Sequence, residues 1–324
     1  MTEQAVGLTR AAGGVRRRRF LVRYGVYLSL LVLLIVAAVV TPSIYSRNLV
    51  FLILRQASQL GLVAIGQTLV MLVAGLDLSV TGVLVLTSVV IAQVSGGQDG
   101  GIAPAVLLAL GLGALIGIGN GLLVTKRNVP PFVATLGMLV LVNGATLAYT
   151  RGIPSGQVPE ALGLLGAPLG PLPISFLLWV GFTALFSLLL YATPWGRRVH
   201  AVGANREAAR LSGLAVDRTK IAVYVICSLM AVVAGVVLSG YVGYVDRYLG
   251  RGFDLDSITA SVIGGTAFTG GRASLLGTMA GVLLVQVLSS MLLVLGLDIE
   301  VQLVVKGLVV IAAVALYSSF EQEA

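Results

Sequence analysis

The chain has 324 residues, of which 57% are hydrophobic and only 10% are charged, and its mean hydropathy is +1.02. Soluble domains carry about 25% charged residues, so a chain of this composition lacks the polar surface that a water-soluble fold needs. The net charge of +8 indicates basic loops at a membrane rather than nucleic-acid binding, while a single cysteine, Cys227, and a single histidine, His200, exclude an internal disulfide and a multi-histidine metal site.

The N-terminus carries a run of arginines, Arg16 to Arg19, followed by Phe20 and Leu21. Such a run is similar to a twin-arginine export signal. However, no small-residue cleavage site follows the next apolar stretch, and further apolar stretches fill the rest of the chain. We therefore expect residues 1–23 to form a basic cytoplasmic tail ahead of an uncleaved first membrane helix.

Apolar stretches recur from residue 24 to residue 318, separated by short breaks that contain Gly, Pro or charged residues. About 20 apolar residues cross a bilayer core as a helix. The sequence therefore predicts an all-α, polytopic membrane protein with about ten transmembrane helices in one domain, 24–318, and a C-terminal tail at 319–324. The predicted spans are 24–41, 52–74, 79–95, 103–124, 131–149, 173–192, 219–241, 255–269, 274–296 and 299–318. The stretch at 255–269 is short and rich in Gly, so a broken or re-entrant helix is the alternative there.

Basic residues indicate how the chain crosses the membrane, because cytoplasmic loops are enriched in Lys and Arg. If the N-terminus is cytoplasmic and successive loops alternate, fifteen of the 21 basic residues lie inside. Four then lie outside (Arg47, Arg151, Arg247 and Arg251), and Arg55 and Lys306 lie within or near spans. We therefore predict that both termini are cytoplasmic, that the Pro-rich loop 150–172 faces outside, and that the loop 193–218 faces the cytoplasm.

Asp77 and Ser79 precede the apolar stretch that begins near Val80. Carboxylates inside membranes are costly and often functional. At the predicted inner boundary, however, Asp77 and Ser79 are well placed to cap the following helix, and Arg272, which follows Gly270 and Gly271, is expected in the matching cytoplasmic role. Binding of an ion or a substrate by Asp77 is the alternative.

Five amide side chains within the predicted spans are candidates for a substrate path: Gln59, Gln67, Asn120, Asn143 and Gln286. Amides suit sugar hydroxyls because they both donate and accept hydrogen bonds. Bonding between neighbouring helices is the commoner role of membrane amides, and we expect it first for each of the five. Lys306, in the last predicted span, is expected to snorkel or to pair with a helix-terminal carbonyl.

The loop 193–218 contains the pattern of a short helix. Gly203, Ala204 and Asn205 can turn the chain, and Asn205 is a good helix N-cap. Residues 206–211 favour a helix, which Gly213 can end through a left-handed cap. Such a helix, isolated between two spans, is either a solvated connector or a surface for a partner.

The sequence contains no G-x-x-x-x-G-K-[ST] phosphate loop, no G-x-S-x-G and no H-E-x-x-H motif. We therefore expect no catalytic residues, no metal and no cofactor in this chain. If the protein uses ATP, the sequence predicts that a separate subunit hydrolyses it.

Several segments resemble one family in collinear order, from about residue 48 to residue 318. The segment 195–218, with Glu207-Ala208-Ala209 followed by Gly213, resembles the ATPase-coupling loop of ribose, xylose and galactose-type permeases of bacterial ABC importers. The other segments that are similar to signatures of that family are 75–80, 120–137, 262–278 and 305–308.

The resemblance implies a multi-pass permease subunit of the bacterial inner membrane that translocates a monosaccharide, either a pentose or a hexose. In that family the coupling loop fits a cleft of the ATPase, which implies this role for Gly203, Asn205, Glu207, Ala208, Ala209 and Gly213. The implied partners are an ABC ATPase subunit, an extracytoplasmic sugar-binding protein, a second permease copy and membrane lipid. Related permeases for nucleosides, branched-chain amino acids or a signalling furanose are alternatives, and an ion-driven secondary transporter is a more distant one.

Overall fold

Apolar segments form helices along most of this chain, because backbone N–H and C=O groups inside a membrane must bond within their own segment. The computed structural model describes residues 24–246, 248–298, 300–308 and 311. In chain order its helices are α1 (Tyr24–Val40), α2 (Arg47–Leu72), α3 (Val80–Ser95), α4 (Ile102–Lys126), α5 (Pro131–Tyr149), α6 (Glu160–Gly163), α7 (Ile174–Ala192), α8 (Pro194–Ala204), α9 (Arg206–Leu211), α10 (Val216–Val242), α11 (Phe253–Ile263), α12 (Leu275–Val294) and α13, which covers residues 300–308.

Six of the described helices, α2, α4, α5, α7, α10 and α12, are long and apolar enough to cross a membrane. The helices α1 and α3 are shorter but also apolar. The chain is therefore a polytopic, all-α membrane protein, as predicted. The count of about ten spans and the cytoplasmic placement of both termini stay predictions. The tails predicted at 1–23 and 319–324 lie outside the described residues.

The span predicted at 255–269 is a half-length helix. The helix α11 has 11 residues, which rise about 16 Å and cover about half of a bilayer core. The chain then runs without helix over residues 264–274 before α12 begins. Thr266 and Ala267 in this break are buried by protein. A continuous span is therefore wrong here, and the broken-helix alternative is confirmed.

The helices α2 and α10 form the centre of the molecule. α2 is buried along residues 57–72, and α10 packs on α2, α3 and α4. Glycines on α4 face α10: a Cβ at Gly117 would lie 2.6 Å from Val225 Cα, and one at Gly121 would lie 2.8 Å from Ile221 Cα. The two helix backbones therefore approach as closely as small residues allow.

The Pro-rich loop 150–172 is folded rather than extended. It contains α6 and a two-stranded antiparallel sheet, β1 (Pro168–Leu169) and β2 (Leu172–Pro173). The N–H of Val158 bonds to the carbonyl of Gly243 at 3.1 Å, just beyond the C-terminal end of α10. Since α9 precedes the N-terminal end of α10, this loop and α9 lie at opposite ends of that helix.

Candidate functional site at the α8–α9 segment

The segment between α7 and α10 contains two helices, whereas the sequence predicted one. α8 begins at Pro194, which suits the first helical position, and Thr193 caps it by accepting the N–H of Gly196 at 3.3 Å. α8 continues through Gly203 and Ala204, so of the turn predicted over residues 203–205 only the part at Asn205 is confirmed. The chain leaves the helical conformation at Asn205, where φ is −158° and ψ is 108°.

α9 is the short helix that the sequence predicted. Asn205 caps it, because its Oδ1 accepts the N–H of Ala208 at 2.9 Å. At the other end Gly213 has a φ of +78°, a conformation that favours Gly, and the N–H of Leu214 bonds to the carbonyl of Ala209 at 3.0 Å. Both predicted caps are confirmed, and they stabilise a helix that is too short to form alone.

One face of α9 packs on protein and the other is exposed. Ala209 is buried, whereas Glu207 and Ala208 are exposed and Leu211 is 82% exposed. The resemblance assigned Ala208 and Ala209 the same role, but the structure separates them. The surface that a partner can reach on α9 includes Glu207, Ala208 and Leu211, while Ala209 contributes to internal packing.

Asp217 connects α9 to two membrane helices. Its Oδ2 lies 2.7 Å from Lys126 Nζ at the end of α4, and its Oδ1 lies 3.7 Å from guanidinium nitrogens of both Arg206 and Arg210 on α9. Asp217 itself belongs to the first turn of α10. Sequence reasoning missed this cluster because Lys126 and Asp217 are 91 residues apart.

A buried hydrogen-bonded cluster joins the α2–α3 connection to α4. Asp77 Oδ1 accepts bonds from the backbone N–H of Ser79 at 2.9 Å and from its Oγ at 2.5 Å, and Asn120 Nδ2 lies 2.8 Å from Ser79 Oγ. Ser79 makes no side-chain cap to α3, so the cap predicted at Ser79 is wrong. Asp77 instead holds the N–H just before α3 begins. Arg272 is exposed in the break between α11 and α12.

The amide candidates have separate environments. Gln59 and Gln67 of α2 are almost completely buried. Asn120 belongs to the Asp77 cluster, and Gln286 Nε2 of α12 donates to Gln56 Oε1 of α2 at 2.6 Å. Asn120 and Gln286 therefore bond neighbouring segments, as membrane amides commonly do.

Asn143 and Lys306 were also singled out from the sequence. Asn143 of α5 is half-buried beside Gly82 of α3. Lys306 of α13 pairs with Asp256 of α11 at 2.9 Å, so its partner is a carboxylate rather than the helix-terminal carbonyl that was expected, and snorkelling stays a prediction. This ion pair connects the half-length helix to α13, and sequence reasoning missed it because its partners are 50 positions apart.

Comparisons of the sequence with known proteins show which family the chain belongs to. The family model described as "branched-chain amino acid transport system / permease component" matches residues 49–314. The ribose import permease protein RbsC of Escherichia coli (strain K12) is 37% identical over 294 residues, which are 89% of this chain and 91% of that protein. RbsC of Bacillus subtilis (strain 168) is 37% identical over 300 residues, 91% of this chain and 92% of that protein. The fructose import permease protein FrcC of Rhizobium meliloti is 36% identical over 281 residues, 84% of this chain and 78% of that protein. No solved structure matches the chain at a comparable significance.

The matched residues extend from the first turn of α2 beyond α13, so they include the α8–α9 segment, the Asp77 cluster and the broken helix. The similarity to the curated relatives likewise covers most of their own lengths. On this evidence, the multi-pass membrane protein described here belongs to the family of transport-system permease components.

Proposed function

We propose that this chain is the permease subunit of an ABC importer in a bacterial inner membrane. We further propose that it moves a monosaccharide into the cytoplasm after delivery by an extracytoplasmic binding protein. The observation that carries the proposal is α9, a capped helix between two membrane helices that presents Glu207, Ala208 and Leu211 to solvent. A helix of this kind suits docking to a partner, and the relatives named as ribose and fructose permeases support a sugar as the solute.

The charge of the α9 end supports its placement in the cytoplasm. Basic side chains at this end that are at least partly exposed include Lys126, Arg197, Arg206, Arg210 and Arg218. Cytoplasmic loops are enriched in Lys and Arg, so this is the side on which an ATPase subunit meets α9. The same basic residues can pair with acidic groups on that subunit.

In this mechanism the chain hydrolyses no ATP itself. ATP binding closes two ATPase subunits, and α9 carries that movement to the membrane helices of two permease copies, most simply identical ones. The permease is thus a two-state element whose equilibrium is biased by a ligand on its partner. Candidate contacts for the solute are the buried amides Gln59 and Gln67 and the half-buried Asn143, because amides can replace the water around sugar hydroxyls.

A second candidate solute has an observation in its favour. The matching family model is described by branched-chain amino acid transport, so an apolar amino acid is the alternative to a sugar. Sugars and amino acids are distinguished by competition: excess unlabelled solute of the correct class abolishes uptake of the labelled one.

The test is uptake by the complete complex in proteoliposomes. The tagged chain is co-purified with its ATPase, reconstituted, and supplied with its binding protein and labelled ribose, fructose, galactose or leucine. We expect uptake of one of the sugars that requires ATP and survives ionophores, because no ion gradient drives it. Uptake that persists without ATP and stops with an ionophore would identify a secondary transporter and overturn the proposal.

A further inference from the structure

Backbone segments that are far apart in the sequence meet at the C-terminal end of α8. The carbonyl of Leu72, the last residue of α2, accepts the N–H of Gly271 at 2.9 Å. Gly203 of α8 lies against the same carbonyl, since a Cβ at Gly203 would be 1.9 Å from Leu72 O and 2.9 Å from Gly271 N. No side chain fits at Gly203 unless α8 and α2 move apart.

Besides the ends of α2 and α8, the break between α11 and α12 takes part in this contact. Gly270 and Gly271 have φ values of +86° and +78°, which favour Gly. A Cβ at Gly270 would lie 2.9 Å from the carbonyl oxygen of Gly203, and one at Gly271 would lie 3.0 Å from Ala204 Cα. The break is therefore held between the end of α2 and the end of α8. We call this contact of Leu72, Gly203, Gly270 and Gly271 the glycine joint.

The glycine joint adjoins α9 on one side and the helices α2, α11 and α12 of the bundle on the other. Asn205, the cap of α9, follows the last residue of α8. Inside the bundle, Thr68 Oγ1 of α2 lies 3.0 Å from Ser261 Oγ of α11 and 2.8 Å from Thr278 Oγ1 of α12. A displacement of the joint is therefore delivered to α2, α11 and α12 together.

We propose that the glycine joint is a rigid link through which movement of α9 reaches the membrane helices. This inference rests on the proposed function, because it requires an ATPase that moves α9. Contact between backbones lacks rotatable side chains, so a displacement is not absorbed by changes of rotamer. It passes instead to the end of α2 and to the break, where α11 and α12 are not one continuous helix.

The first test replaces Gly203 by Ala in the reconstituted complex. The added methyl group must displace the carbonyl of Leu72, while the exposed face of α9 is unchanged. We expect Gly203→Ala to retain its ATPase but to lose about tenfold in uptake of the sugar that the wild-type complex imports and in stimulation of ATP hydrolysis by the binding protein, within the range of mutations that alter coupling. The matched control is Gly181→Ala in α7, where a Cβ meets nothing within 4 Å.

A second test applies even if Gly203→Ala fails to fold. A Cβ at Gly271 would lie 3.5 Å from Ala204 Cβ, and a disulfide needs about 3.5–4.5 Å, so A204C/G271C can be cross-linked across the joint. A rigid link stays closed through the cycle, so we expect the oxidised form to import the sugar of the wild-type complex as fast as the reduced form. The single variant A204C is the control, and the fully buried Cys227 is kept in both.

Loss of uptake on oxidation that reduction restores would show that the segments separate during transport, which overturns the rigid link. Failure of the cross-link to form under oxidant would also count against the geometry. If the reduced double variant retains its ATPase but imports slowly, Gly271 behaves like Gly203, which supports the proposal. A wild-type chain that binds no ATPase contradicts the proposed function, whereas Gly203→Ala importing at the wild-type rate contradicts only the joint.

Discussion

Single side chains attach α9 to the membrane helices, and Asp217 is the first to test. Exposed ion pairs contribute about 0.2–1 kcal/mol each, and Asp217→Asn removes three of them while leaving three cations near one another. We expect amide hydrogen exchange over residues 206–211 to rise about fivefold, the factor for about 1 kcal/mol. Glu207→Gln removes the same charge but no described ion pair, so it should raise exchange less than Asp217→Asn does. Equal exchange in both variants would contradict an anchoring role for Asp217.

Asp77 is predicted to stabilise the fold. Asp77→Ala leaves the buried N–H of Ser79 without its acceptor, which costs about 1–3 kcal/mol. Asp77→Asn keeps an oxygen of the same shape and should be milder. Thermal unfolding in detergent should therefore rank wild type above Asp77→Asn and Asp77→Asn above Asp77→Ala. If all three unfold at one temperature and only uptake differs, Asp77 acts in transport rather than in packing.

At the scale of single residues, the sequence predicts the role of a side chain when its partners are close along the chain. Asn205 and Gly213 could be assigned because a helix cap depends on the next three or four residues. Gly203 was misplaced, since its partner Leu72 is contributed by another helix. Lys306 was misread for the same reason, because Asp256 belongs to α11.

At the scale of elements, the two faces of α9 lead to opposite expectations for two neighbouring alanines. Ala208→Trp adds bulk on the exposed face, so it should insert and fold normally but fail to co-purify with the ATPase. Ala209→Trp overfills a buried site, which typically costs about 1–3 kcal/mol, so its unfolding temperature should fall. If Ala208→Trp retains its ATPase and imports at the wild-type rate, α9 is a solvated connector.

Elements were predictable where one helix alone determines the pattern. The long apolar helices follow from length and composition, which is why predicted spans such as 131–149 agree closely with α5. The sequence did not predict α8, because its Gly and Arg residues are typical of a loop. The break after Ile263 could be anticipated because Gly264 and Gly265 follow it, whereas the packing of the break against α2 and α8 could not, since those partners are far away in the sequence.

At the scale of the whole molecule, sidedness is tested by labelling. Glu160 of α6 and Glu207 of α9 are both exposed and lie at opposite ends of α10. Glu160→Cys should react with a membrane-impermeant maleimide in intact cells, whereas Glu207→Cys should react only after permeabilisation, because basic loops remain cytoplasmic. The buried Cys227 gives the background in each case. Labelling of Glu207→Cys from outside would reverse the proposed orientation.

The burial of α2 has a consequence for synthesis. The helices that pack on α2 include α7, α10, α11 and α12, all of which leave the ribosome after it. Until those four helices are made, residues 57–72 lack the protein neighbours that bury them in the finished fold, and Gln59 and Gln67 are among these residues. A stalled or truncated chain therefore exposes a stretch of α2 that a finished chain conceals.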